Sequence, residues 1–211
     1  QHFYECNNLE TIHIGYVQNI KSLPRGLDKL SHLQKIEFEA CPSLVSFEEN
    51  VLPTTNLRVL LIAFCKNFRA LPKCINNFTS LLELKVSNCS AGISFPEEGF
   101  PTNLASLQIS KAPRIYTSLV EWGLNRLTSL QELEISGEGC SSVKSFPEEG
   151  IGMTLPPSLT SICIRDFENL EFIGCPLLDE RCSRGKGREW SKIAHIPYVR
   201  LITNVMPREL D

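Results

Sequence analysis

NLRVLLIAFCKNFRALP, residues 56–72, sets apolar side chains at Leu57, Leu60 and Ile62, and then at every third position in Cys65, Phe68 and Leu71. SLLELKVSNCSAGISFP, residues 80–96, does the same with Leu81, Leu84 and Val86, followed by Cys89 and a closing Phe95-Pro96. The two windows lie 24 residues apart, counted from Leu57 to Leu81. Working outward, the motif L-x-x-L-x-L recurs upstream at Leu9-Ile12-Ile14 and Leu33-Ile36-Phe38. Downstream it recurs at Leu104-Leu107-Ile109, Leu130-Leu133-Ile135 and Leu159-Ile162-Ile164. Successive spacings are 24, 24, 24, 23, 26 and 29 residues.

A period in this range, carried by this motif, is the signature of a leucine-rich repeat. The predicted fold class is α/β: a curved leucine-rich-repeat solenoid with a parallel β-sheet on its concave face. A strand alternates its faces, so motif positions one, four and six point inward and positions three, five and seven outward. One unit cannot bury its own apolar face, and stacked units share a continuous core. The every-third-residue spacing after the strand fits an irregular or 3₁₀ return path better than an α-helix. Leu23-Pro24, Leu71-Pro72, Phe95-Pro96 and Phe146-Pro147 close these paths. Only Leu27 with Leu30, and Leu124 with Leu127, have the spacing of a helical turn.

The nine cysteines would suggest a disulfide framework in a small secreted chain. Here Cys41, Cys65 and Cys89 are spaced by 24 and share one position just after the strand. There a thiol serves as a small buried apolar group, so these three are expected to be buried and unpaired. Cys6, Cys140 and Cys175 fit the same position in less regular units, and Cys74, Cys163 and Cys182 have no assigned place. No C-x₂₋₄-C pairing marks a zinc site. His2, His13, His32 and His195 are scattered and read as surface or cap residues. The pairs Glu48-Glu49, Glu97-Glu98 and Glu148-Glu149 recur beside Gly or Pro and read as solvated turns, not as paired catalytic carboxylates. No nucleophile motif appears, and no enzyme is expected. A net charge of −3 gives no electrostatic case for nucleic acid or an anionic membrane. No apolar run approaches the roughly 20 residues of a membrane span. The chain begins at Gln1 rather than Met, so further sequence is expected before it.

Three related windows carry a family resemblance: SFEENVLPTTNLRVLLI at 46–62, SFPEEGFPTNLASLQIS at 94–110 and SFPEEGIGMTLPPSLTSICI at 145–164. So does the tail GCPLLDERCSRGKGREWSKIAHIPYVRL at 174–201. Together they resemble the C-terminal leucine-rich-repeat region of the coiled-coil class of plant nucleotide-binding, leucine-rich-repeat (NLR) disease-resistance proteins. That resemblance implies repeats over residues 1–173, about seven units with the first and last irregular. It implies a cap over 174–211, with Trp190, Ile193 and Ile196 closing the last coil and 199–202 adding a final strand. It further implies a cytoplasmic interaction module whose partners are pathogen effectors or the receptor's own nucleotide-binding and coiled-coil domains. No cofactor is expected in this chain. ADP or ATP would belong to a nucleotide-binding domain, and no G-x-x-x-x-G-K-[ST] loop occurs, since Gly185-Lys186 lacks the spacing and the hydroxyl.

Two places depart from the family pattern. Only eight residues separate Ile164 from Phe172, too few for a full coil, so either 159–164 or 170–172 is expected to fall out of regular pairing. Near the start, Cys6, Leu9 and Ile12 also fit the return path of a preceding coil. Two other repeat classes remain open. An extracellular repeat receptor of plants would show L-x-G-x-I-P units and paired cap cysteines, and would carry glycans at Asn77 or Asn88. A ubiquitin-ligase adaptor would show helical return paths. The L-P and E-E-G turns argue against the adaptor.

The predicted contact surface is the outward face of the central strands: Lys35, Glu37, Glu39, Val59, Leu61, Ala63, Phe64, Glu83 and Lys85. Val59, Leu61 and Ala63 form the one outward triplet with no polar residue, and Phe64 follows them. The cluster Arg181, Arg184, Lys186, Arg188 and Lys192 reads as a solvated cap face that could also meet an acidic partner.

Overall fold

The computed structural model describes residues 8–23, 25–48, 51–90, 92–93, 98–138, 154–167 and 195–202. Among the described residues, the framework is one sheet of eight strands lying in chain order. These are β1 (Thr11–Gly15), β2 (Lys35–Glu39), β3 (Val59–Ala63), β4 (Glu83–Ser87), β5 (Ser106–Ser110), β6 (Glu132–Ser136), β7 (Ser161–Arg165) and β8 (Tyr198–Ile202). Every neighbouring pair is parallel, because each chain segment crosses back before the next strand begins. The fold is a leucine-rich-repeat solenoid.

The register follows the motif. Ile12 stands beside Ile36, and the row continues through Leu60, Leu84, Leu107, Leu133, Ile162 and Val199. The second inward row runs Ile14, Phe38, Ile62, Val86, Ile109, Ile135 and Ile164. From β2 to β7 both rows are buried. Each such Leu or Ile contributes roughly 1.5–3 kcal/mol. Ile12 and Ile14 are only partly buried, because β1 is an edge of the sheet with a neighbouring coil on one side.

Polar side chains tie one coil to the next. Asn67 Nδ2 donates to the Pro42 carbonyl at 2.8 Å, and Ser43 Oγ donates to Gln18. Before the strands, Ser80 donates to Thr55, Asn103 to Thr79 and Ser158 to Leu130. An irregular return path leaves such carbonyls without a partner, and these bonds supply one. The thiols act similarly. Cys41 Sγ donates to the carbonyls of Ile14 and Glu39, Cys65 to that of Ala63, and Cys89 to those of Ile62 and Ser87.

Cys41 and Cys65 are fully buried and Cys89 is half-buried, and all three are free. Cys89 is therefore less covered than its repeat position predicts. The thiol of Cys89 hydrogen-bonds to that of Cys65 and, with the help of Cys41 and against burial, brings Cys65 down to about 7. Cys65 and burial push Cys89 up.

Among the described residues, one return path differs from expectation. Leu27–Lys29 and Leu124–Arg126 form 3₁₀ turns, as their spacing predicts, and Ile75–Asn77 forms a third at the matching position. Between β5 and β6, however, Pro113–Trp122 is an α-helix, α1, where only few helical turns were expected. It begins with Pro113 in its first turn and ends at Gly123, whose N–H bonds to the Leu119 carbonyl. Ile115, Tyr116, Leu119 and Val120 bury one face of it. The β5-to-β6 spacing of 26 residues, against 23 or 24 in the units before it, gives room for the helix.

β8 is hydrogen-bonded directly to β7, and the regularly paired strand is the one at 159–164. The alternative at 170–172 lies outside the described residues. So do His2, Cys6, Cys140, Cys175 and Cys182, the acidic residues Glu49, Glu97, Glu148 and Glu149, the cap residues Trp190 and Ile193, and the basic cluster from Arg181 to Lys192. Ile196 is buried.

Gly137 sits at the end of β6, where a Cβ would run into the ring of Phe167. That ring also stands edge-on to Tyr116 of α1, with centroids 5.6 Å apart. The missing side chain thus joins the last described coils to the helix. Gly137→Ala is expected to lower stability by about 1–3 kcal/mol, the usual range for overpacking. Denaturant unfolding measures this. An unchanged midpoint would show that Phe167 does not depend on that space.

Candidate functional site

All nine residues of the predicted surface lie together on β2, β3 and β4 and the residue after β3. Lys35, Val59 and Glu83 are in register, as are Glu37, Leu61 and Lys85. Glu39 and Ala63 form the next row, with Ser87. Eight of the nine are half-buried and Phe64 is exposed, whereas Leu60, Ile62, Leu84 and Val86 between them are buried. The alternation places Val59, Leu61 and Ala63 as an apolar island between two charged strands.

The charges around the island are ordered. Glu37 accepts from Lys35 Nζ at 3.0 Å on its own strand and faces His13 Nδ1 of β1 at 3.2 Å. Partial burial pushes the Glu37 carboxyl up, but its hydrogen bonds and opposite charges from Lys35 and His13 outweigh that, and it titrates below its ordinary value. Toward the other end, Arg165 pairs with Glu134, and Ser136 Oγ donates to Asp166 at 3.1 Å. A recess of about 340 Å³ runs along this face, and Glu37, Leu61, Phe64, Lys85, Gln108 and Arg165 are among the residues lining it.

Outward position seven is not uniformly open. Ser87, Ser110 and Ser136 are buried, so these serines offer little to a partner. After Ser87 and Ser110 the next residue is half-buried, while Gly137 after Ser136 is buried as well. Tyr16, Ala40, Phe64, Asn88, Lys111 and Asp166 each follow a strand, and each has a positive φ between 49° and 60°. This left-handed residue extends the ladder by one bond: Tyr16 N–H donates to Glu39, Ala40 to Ala63, Phe64 to Ser87 and Asn88 to Ser110. The fold therefore has a rim of one side chain after each of these six strands, whereas β6 is followed by buried Gly137.

Two rim positions carry exposed aromatics, Tyr16 at 70% and Phe64 at 51%. The motif reading includes Phe64 and misses Tyr16, which lies two coils away in the same row. Tyr16 OH donates to Glu39 Oε1 at 3.1 Å, and this bond, with the charge of Glu39, raises the phenol above its ordinary value. A bulky residue in left-handed backbone costs roughly 1–2 kcal/mol. Neither ring recovers that cost by burial.

Among the described residues no group of three His, Cys, Asp or Glu side chains could hold a metal ion. His13 and His32 are exposed, and His195 is exposed with its Nε2 3.3 Å from the Pro156 carbonyl. No helix of the described residues is long and apolar enough to cross a membrane.

No family model matches the chain. It is similar to a putative disease resistance protein of Arabidopsis thaliana, with 46% identity over 70 residues, 33% of this chain and 5% of that protein. A 27-residue stretch is 59% identical to the putative disease resistance protein RGA1 of Solanum bulbocastanum, covering 13% of this chain and 3% of that protein. The chain thus spans a small fraction of the length of these relatives. Its likeness is to plant disease resistance proteins, in the direction that the sequence windows imply.

Phe64 gives a direct check on the rim. Phe64→Gly is expected to leave stability unchanged or to raise it by up to roughly 1 kcal/mol, since glycine adopts positive φ without strain. Thermal or denaturant unfolding reads this. A loss of more than about 1 kcal/mol would mean that the ring is structural rather than presented to solvent.

Proposed function

We propose that this chain is a protein-contact module of a plant intracellular immune receptor, drawn from the C-terminal leucine-rich repeats of the coiled-coil NLR class. In this reading it recognises pathogen effectors, restrains the receptor's nucleotide-binding switch, or does both. The observation that carries the proposal is the Val59-Leu61-Ala63 island with Phe64 beside it. It sits on the solvent face of a scaffold whose sequence is similar to plant disease resistance proteins.

Physical reasoning supports the contact role. The solenoid requires apolar residues only at inward positions, so an outward apolar triplet flanked by charges has no structural demand behind it. An apolar centre within a polar surround is the anatomy of a protein interface. Chemistry would reside elsewhere: this chain is read as non-enzymatic, and ADP or ATP would be held by a separate nucleotide-binding domain. The free cysteines among the described residues fit a reducing, cytoplasmic setting. Residues 174–211 would serve as the cap of the repeats.

Leu61→Glu tests the proposal. Binding is measured against a panel of pathogen effectors and against the nucleotide-binding module of a coiled-coil NLR receptor. The wild-type chain is expected to bind at least one of these, and Leu61→Glu to weaken that binding by at least about tenfold, as for a central interface residue. Its Tm should stay unchanged, because position five points away from the core. Unaltered binding would remove the island from the contact surface.

A further inference from the structure

The charged and polar side chains lining the concave recess fall into two groups. Some already have a partner within the chain. Glu37 has Lys35 and His13, Glu39 accepts from the Tyr16 hydroxyl, and Arg165 is paired with Glu134. Lys85 and Gln108 line the same recess, and among the described residues neither side chain has a hydrogen bond or an ion pair. Both are half-buried, and they stand side by side on β4 and β5. Leu61 of β3 stands on the other side of Lys85 in the same row. Glu83 shares the outward face of β4, but it neither lines the recess nor pairs with Lys85. The row thus runs from an apolar side chain to an ammonium and a carboxamide that the fold leaves unanswered.

We propose that Lys85, with Gln108 beside it, receives a side-chain carboxylate of the protein partner, next to an apolar residue that covers Leu61. The inference rests on the reading of this face as a protein-contact surface and names the chemistry that the surface selects. A partner seated on Leu61 also covers Lys85, its neighbour in the row. Taking water from a half-buried ammonium is costly unless the partner returns both charge and hydrogen bonds. A lysine offers three donors and no acceptor, so the group it needs is an acceptor. A carboxylate supplies the charge as well, and its second oxygen can accept from the Gln108 amide. An apolar or basic group in that place would leave the ammonium unanswered. The direction is also set. Glu39 lies on β2, and among the described residues no cation is paired with it, so an acid is repelled from that end of the recess and drawn to β4 and β5. One unpaired cation suits a monoanion. A phosphate dianion would bring a second charge that no free cation among the described recess residues meets.

The test pans a phage-displayed library of random linear peptides on the 211-residue chain, so it needs no identified partner. Selected peptides are expected to carry Asp or Glu close to an apolar residue. For such a peptide, Lys85→Glu should weaken binding by about tenfold, and exchanging the peptide's acid for lysine should restore it. Rescue by the lysine peptide also shows that the Lys85→Glu chain is folded. Lys85→Met, which keeps an apolar stem without the charge, should weaken the acidic peptide and gain nothing from the lysine peptide. Selected peptides without an acidic residue would overturn the proposal. So would binding unaltered in Lys85→Glu, or binding lost there and not rescued by the lysine peptide. Peptides that depend on Leu61 but not on Lys85 would leave the contact surface standing and remove only the carboxylate from it. Peptides that depend on neither residue, or no enrichment at all, would count against both.

Discussion

Parallel pairing at a constant register is the constraint on which this structure depends. Each chain segment must leave a strand, turn back and arrive beside the same residues one strand spacing further on. With 24 residues in a coil, every position meets its equivalents above and below. Ile36, Leu60 and Leu84 become one row, and Cys41, Cys65 and Cys89 another. The hydrogen bonds from Ser43, Asn67, Ser80 and Asn103 follow from the same register, each reaching a carbonyl of the coil before. Burial then drives the assembly, since no coil hides its apolar rows alone.

The same constraint generates the rim. To leave the sheet, the backbone turns through a left-handed residue after nearly every described strand, and the ladder gains one more bond there. Glycine or asparagine would meet this demand at the lowest cost. Asn88 fits that rule, while Tyr16 and Phe64 do not. Those two positions, with the apolar triplet on β3, are where the side chains depart from what the solenoid alone requires. Features that the scaffold does not need are the ones a partner can use.

The strands and their phase were legible because the inward rows are periodic in residue type. Motif positions alone locate β1 to β7, and 199–202 nearly coincides with β8. The spacing of Leu27 with Leu30 and of Leu124 with Leu127 marks two 3₁₀ turns, while Ile75 with Phe78 carries the same signal unread. α1 was also readable in principle: Pro113 opens it, Gly123 closes it, and Ile115 and Leu119 are four apart. The every-third-residue spacing of the shorter coils hid it, because that spacing implies a return path without a helix. The rim left no such trace. Tyr, Ala, Phe, Asn, Lys and Asp share no chemistry, so a backbone requirement common to all six positions is invisible in their identities. Phe64 was found only because it follows an apolar triplet, and Tyr16 has no such neighbour.

The inward and outward phase of the coils, and with it the whole surface, is tested most directly by native-state alkylation of the cysteines with site mapping by mass spectrometry. Acidity and burial point in opposite directions. Hydrogen bonding by Cys89 brings the Cys65 thiol down to about 7, whereas burial first and then the charge of Glu134 raise Cys163, against the opposing pull of Arg165 and Arg200. Thiolate content alone would therefore label Cys65 before Cys163. Cys65 is enclosed in the stack, while Cys163 lies at an outward position of β7 and is half-buried. The account predicts that Cys163 reacts in the folded protein while Cys65 and Cys41 react only at the rate of unfolding. Rapid labelling of Cys65 ahead of Cys163 would contradict it, and would mean that the coils are not stacked in the register described.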